Sequence, residues 1–339
     1  MRRMHVGGWL GGAVALAGCV AQPHLDGPLP VRNQHPAQLT VLHLPPASTT
    51  PLGAGALTTR VDAAYSNMYL FGSGPTGSGY RMDGEYLRVG PHLAVGLGSG
   101  FQADVELPFA HTSGGFLDDF VIGYHNAFGL PDQGRNTNPR DDFDVAATKN
   151  GIPAWHVDSA ALELLDVPIG LTWQCCTVEP GRLGVALRAG IEFPTGNEHR
   201  GYGNGEIDTS LGLLLEYHVW DVGWYGHVQH TFAGTPESAR VAGLHFADVT
   251  SAGLAAELPL GDTLNGFVQV EWETSTLREL AIPVAERDQL LLWLGGRLRV
   301  DEQWGVELGF GEDLIGNVSP DFTAWLGIAW LPGQRTVGP

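Results

Sequence analysis

Lysine is nearly missing from this chain: one residue in 339, Lys149, beside seventeen arginines and 37 acidic residues. The formal net charge is −19. An acidic chain without a basic cluster excludes nucleic acid as a partner. Cysteine is scarce, at three residues, and no Cys/His zinc spacing surrounds any of them. Cys175 and Cys176 are adjacent, with Cα atoms about 3.8 Å apart, closer than an unstrained disulfide needs. No function attaches to the pair, and its oxidation state stays open. No apolar run reaches the ~20 residues of a membrane-spanning helix. Nucleotide-binding glycine loops are absent too, since the Gly-x-Gly occurrences fall at strand ends and turns. No cofactor and no metal is expected.

Glycine is plentiful instead, at 48 residues, with 10 tryptophans in a chain that is 43% apolar. That composition excludes a disordered chain. It fits a large sheet whose turns and close strand approaches need glycine.

Residues 1–18 read as a secretory signal: Arg2 and Arg3 precede a short apolar stretch at 6–17. Leu16-Ala17-Gly18-Cys19 resembles a bacterial lipobox, which implies a diacylated Cys19 on the periplasmic side of the outer membrane. Val20 follows it, and by the same resemblance favours release to that membrane. Residues 19–54 are rich in proline without sustained period, the pattern of an extended periplasmic tether. His24, His35 and His43 in it are irregularly spaced and lack a carboxylate cluster, so they form no metal site.

Twelve alternating runs follow: 57–71, 80–95, 101–111, 156–174, 182–194, 206–220, 222–233, 248–259, 264–276, 287–300, 303–313 and 321–331. The alternation of the second slips near Leu87, the mark of a bulge. Alternation gives each run one apolar and one charged face. The connections decide which face points inward. Short turns follow the second, fourth, sixth, eighth and tenth runs, and the others are mostly longer, the longest at 112–155. An even strand count with alternating short and long connections is the pattern of an outer-membrane barrel. Soluble sandwiches have shorter strands and no such alternation. The expected fold is all-β, a closed antiparallel transmembrane β-barrel of about 12 strands over residues 55–331, with a tail at 332–339. Trp220, Trp224, Trp304 and Trp330 read as interfacial girdle residues.

"MDGE" at 82–85, "ELPF" at 106–109, "GGFLDDFVIGYHNAFGLPDQGR" at 114–135 and "FGEDLIGNVSPDFTAWLGIAW" at 310–330 resemble Gram-negative outer-membrane proteins of domain of unknown function 3187. The resemblance covers about residues 55–331. It implies an outer-membrane barrel and no particular activity. "FPTGN" at 193–197 is similar to a turn in small outer-membrane barrels, including some linked to aromatic-compound degradation.

By parity the inward face carries eleven acids: Asp62, Asp104, Glu106, Asp166, Glu192, Asp208, Glu216, Glu257, Glu271, Glu273 and Glu307. Five arginines oppose them: Arg60, Arg88, Arg188, Arg297 and Arg299. After pairing, about six acids remain to be hydrated or protonated. The 112–155 loop is expected to hold a short helix and to fold into or over the lumen, with Asp118, Asp119 and His125 as external-loop candidates. His111 and Ser113 share the lipid-facing parity, an arrangement similar to outer-membrane phospholipase A, but no strand-borne Asn follows to orient the His. They are weak catalytic candidates, and no enzyme is expected. The leading expectation is a narrow passive channel for small solutes with weak cation preference. The runner-up is a plugged structural or interaction barrel of the envelope, and the third reading is uptake of apolar compounds. Outer-membrane lipid and small solutes are the expected partners, and the oligomeric state stays open.

Overall fold

The structure, a computed structural model, describes residues 25–129, 135, 139–315, 318–320 and 322–330. The expected signal, Cys19 and the 332–339 tail lie outside the described residues. One antiparallel sheet of sixteen strand segments closes on itself. β1 (Leu57–Ser73) pairs with β2 (Gly79–Gly98) on one side and with β16 (Phe322–Trp330) on the other. β3 (Phe101–Glu106) resumes after Leu107 and Pro108 as β4 (Phe109–Ser113). β7 (Ala160–Leu164) likewise continues into β8 (Val167–Cys176). Each of these couples is one stave. β9 (Gly184–Phe193), β10 (Asp208–Val219), β11 (Val222–Phe232), β12 (Val249–Pro259), β13 (Leu264–Glu273), β14 (Gln289–Arg299) and β15 (Trp304–Asp313) complete the barrel of twelve.

The outward face is apolar, with Val61, Leu211, Leu254, Val268, Leu294 and Leu308 exposed on it. Trp220, Trp224 and Trp304 are exposed at the short-turn, periplasmic end. At the other end, the hairpin β5 (Asp144–Lys149) and β6 (Ile152–Val157) extends β2. The short helices α2 (Glu237–Val241) and α3 (Pro283–Glu286) fold over the mouth. Trp155, Tyr80, Met82, Leu244 and Leu280 form an apolar core there.

Three expectations are corrected. The register from Leu57↔Val95 to Ser73↔Gly79 is unbroken, so no bulge lies near Leu87; the irregularity is at Gly96–Gly98. The apparent slip comes from Asp83 and Glu85, polar residues on outward-facing positions. Second, the helix of the long loop, α1 (Asp118–Phe128), neither enters nor covers the lumen. It lies on the outer wall, with Phe120 against Phe322 and Tyr124 against Phe310, both outward positions. Third, the described part of the proline-rich segment is no periplasmic tether: residues 26–50 run inside the barrel, nearly all of them buried. The segment has no period because, apart from a single 3₁₀ turn, it forms neither helix nor strand. Its backbone groups still need partners, and the charged wall supplies them.

Candidate functional site: the occupied lumen

The N-terminal segment forms a U. It enters at the periplasmic end, where Asp26 accepts a bond from Arg299 at 2.6 Å and the Gly27 amide donates to Glu257 at 3.1 Å. It rises past mid-barrel, where Gln269 donates to the Leu29 carbonyl at 3.1 Å. Near the external end, Asn33 and Gln38 donate to Glu273 at 2.7 and 2.8 Å. The 3₁₀ turn Gln38–Thr40 is the apex, and Leu39 sits in the external apolar core. The chain then descends. The Leu42 amide donates to Asp208 at 2.9 Å, and Ser48 Oγ and the Thr49 amide donate to Glu216 at 2.6 and 2.7 Å. Arg32 braces the ascending limb against the apex and the start of the descending limb by donating to the Gln38 and Val41 carbonyls at 2.8 and 3.3 Å. Leu52 and Gly55 then meet Gln102 and Gly96 before β1 begins.

Two wall glycines make room for the U. A Cβ on Gly190 would come within 2.8 Å of Leu44, and one on Gly295 within 2.7 Å of Leu29. Glycine in a strand here marks the close approach of another chain segment.

All sixteen charges assigned inward by parity are buried or half-buried on the lumen side. Arg60 bridges Asp62 and Glu307 at 2.8 and 2.5 Å. Arg88 pairs with Glu106, Arg188 with Asp104 at 3.2 Å, and Arg297 with Glu257 and Glu307 at 2.9 and 2.5 Å. That leaves Asp166, Glu192, Asp208, Glu216, Glu271 and Glu273. The U caps three of them: Asp208, Glu216 and Glu273. Asp166 accepts the Gly196 and Asn204 amides of the "FPTGN" turn and the loop after it. Glu271 takes Gln269 at 2.7 Å and faces His227 at 3.2 Å. Arg32 brings a cation of the U into the field of Glu192. Surplus acid is thus satisfied chiefly by amides and hydroxyls, a solution that parity on the strands alone does not reveal.

Near the apex, Ala37 donates its amide to His35 Nδ1 at 3.2 Å, so the proton sits on Nε2, which donates to Tyr80 Oη at 2.5 Å. Burial pushes this imidazole down to about 3. Protonation would set Nδ1–H against the Ala37 N–H.

A cavity of about 190 Å³ remains in the periplasmic half, between the U and a wall formed by β1 to β3, β8, β9 and β14 to β16. The six consecutive residues from His43 to Ser48 border it, as do Asp104 and Arg188.

Other sequence candidates do not converge. His111 donates Nδ1–H to the Ala161 carbonyl at 3.1 Å, and no hydrogen bond joins it to Ser113 among the described residues. Asp118 is buried against Arg135 and the Asp141 amide, both at 2.8 Å, whereas Asp119 pairs with Arg140 at the surface. His125 is buried two helical turns from Asp118. Among the described residues no cluster able to hold a metal occurs.

A closed barrel with a lipid-compatible outside and a charged inside defines an integral outer-membrane β-barrel protein. Comparison narrows this: the chain belongs to the family of proteins of unknown function DUF3187, whose model matches residues 13–330. No curated protein matches it in sequence. The COG4313 outer membrane channel from Pseudomonas putida F1 is similar in fold, with a TM-score of 0.56 at 9% identity over 85% of this chain and 99% of that one. The P. putida toluene transporter TodX gives 0.40 at 10% identity over 89% and 94%. The translocator domain of NalP from Neisseria meningitidis gives 0.39 at 12% over 82% and 89%. At these identities the likeness concerns the fold alone.

Proposed function

We propose that the protein is an outer-membrane channel for small solutes, held shut by its own residues 26–50. The observation that carries this reading is the chemistry of the closure. Barrels of this class have polar interiors whether open or plugged, but a plug held by apolar packing alone would find no substitute partner in water. This wall is charged, and much of what occupies it is bound through hydrogen bonds that water can replace. With the U gone, eleven acids face five arginines, so the open lumen prefers cations, most strongly at low salt. The test is planar-bilayer conductance of the full chain and of a chain lacking residues 27–49, with folding checked by heat-modifiable electrophoretic mobility. The full chain is expected to be closed most of the time. The shortened chain should conduct, with a reversal potential of cation sign. A folded shortened chain that does not conduct overturns the channel reading, and anion preference overturns the selectivity.

A filled structural barrel is the second reading. The apolar core that seals the external end favours it.

A lipid on Cys19 fits the place where the U enters. Asp26 meets Arg299 at the periplasmic end. The seven residues from Cys19 to Asp26 reach at most about 25 Å when extended. Metabolic palmitate labelling should be lost in Cys19→Ser, and equal labelling of both chains rejects the anchor.

A further inference from the structure

The upper outer wall of β1 and β2 is not apolar. Asn67 and Tyr69 on β1 and Asp83 and Glu85 on β2 all point outward, and Asn67 lies opposite Glu85. Asn67 and Glu85 are each only 1% exposed, because α1 and the residues leading into it cover them. Glu85 accepts the Phe116 and Leu117 amides at 3.0 and 2.5 Å. Asn67 reaches Asp118 at 3.2 Å. A carboxylate left facing hydrocarbon would cost several kcal/mol, and here it fixes the start of a helix instead.

What replaces the wall on the outside is aromatic. Phe116 is 71% exposed, Phe120 51% and Phe128 71%, and apart from the local helix backbone no atom lies within 4 Å of where a Cβ on Gly123 would sit. These rings continue the lipid-facing surface directly: Phe120 packs on Phe322 at 5.3 Å between ring centroids, and Tyr124 on Phe310 at 6.2 Å. The height is also defined. β16 runs from Phe322 to Trp330 at its periplasmic end. Eight steps of ~3.4 Å, tilted by ~40°, span about 21 Å of the ~25 Å apolar band of such barrels. Phe322 therefore lies near the outer edge of the hydrocarbon, and α1 with it.

We propose that α1 is an interfacial helix that binds the acyl chains of the outer-leaflet lipid. Its polar face masks the outward Asn67–Glu85 patch, and its aromatic face serves as barrel wall at that height. The partner is lipid because the exposed rings are continuous with the lipid belt of β15 and β16.

The test is photo-cross-linking of the full chain in phosphatidylethanolamine–phosphatidylglycerol vesicles, with Phe128→p-benzoyl-L-phenylalanine and, separately, Phe120→p-benzoyl-L-phenylalanine. The same replacement at Leu308 on the outer wall and at Phe267 in the lumen calibrates it. Lipid adducts at Phe128 and Phe120 should match those at Leu308 within about twofold, as for a helix lying in the boundary layer, with none at Phe267. Lipid adducts at Leu308 but not at Phe128, or adducts at Phe128 mainly to a second copy of the chain, overturn the proposal. Mobility of each variant as the folded form keeps a misfolded chain from being scored.

Discussion

The two limbs of the U differ in what holds them. The ascending limb carries Leu29 and Val31 into an apolar nest with Phe267, Trp293 and Trp325. Its end is clamped by Arg297, which donates to the Gly27 carbonyl at 3.0 Å and lies over Phe267. The descending limb depends more on polar contacts: Leu42 to Asp208 and Thr231, Pro45 to Arg188, Ser48 and Thr49 to Glu216. It also borders the cavity without interruption from His43 to Ser48. Water offers a substitute for a hydrogen bond and none for an apolar contact. The ascending limb is therefore the anchor, and on the proposed channel reading the descending limb is the part whose release would open a path.

The largest effect should come from the anchor. Trp293→Ala removes the floor under Leu29 and should cost about 3–5 kcal/mol of stability, read as a lower urea midpoint of unfolding. A midpoint equal to that of the native chain would mean that the nest holds nothing. The descending limb should respond in a different observable. Glu216→Leu leaves Ser48 and Thr49 without their acceptor, a loss of about 1–3 kcal/mol in closure. That corresponds to roughly a 5- to 150-fold rise in the open-to-closed ratio. Bilayer recordings should show more frequent openings while the urea midpoint stays close to native. If the midpoint falls as it does in Trp293→Ala, the two limbs are one unit and the distinction fails.

The smallest effect concerns the apex that joins them. Free imidazole titrates near 6.5, whereas His35 is held at about 3. The undocked apex therefore binds its proton first. Docking is intact above pH 6.5 and weakens as pH falls from there toward 3. At pH 5.5 the loss is about 1.4 kcal/mol, or tenfold. Amide exchange at residues 33–40, compared at pH 7.5 and 5.5 after correction for intrinsic rates, should show it. His35→Gln should remove the pH dependence.

The staves were legible because a residue's face follows from its parity, as with Leu290, Leu292 and Leu294 against Leu291 and Trp293 on β14. The same rule placed the sixteen inward charges. It was silent on the U, whose contacts with the wall run largely through its own amides and carbonyls, groups that every residue carries. Only the surplus of acid hinted that something else occupied the lumen. The helix of the long loop was legible, but its address was not. The clue was "MDGE", where Asp83 and Glu85 broke the outward apolar pattern. A buried polar patch on the outer wall and a bulge leave the same trace in a sequence.

The U also has a bearing on how the molecule is assembled. Its partners lie far ahead in the chain: Glu257 is 231 residues beyond Asp26, and Gln289 is 256 beyond Asn33. Loops of that length close slowly. Yet the segment leads straight into β1, whose pairing with β16 shuts the barrel. If that seam closed first, a folded-back stretch of some two dozen residues would have to thread into a finished ring. A simpler order has the segment lying among the later staves while the seam is still open, as a mandrel around which they gather. The part that blocks the finished lumen is then also the form on which the barrel is wound.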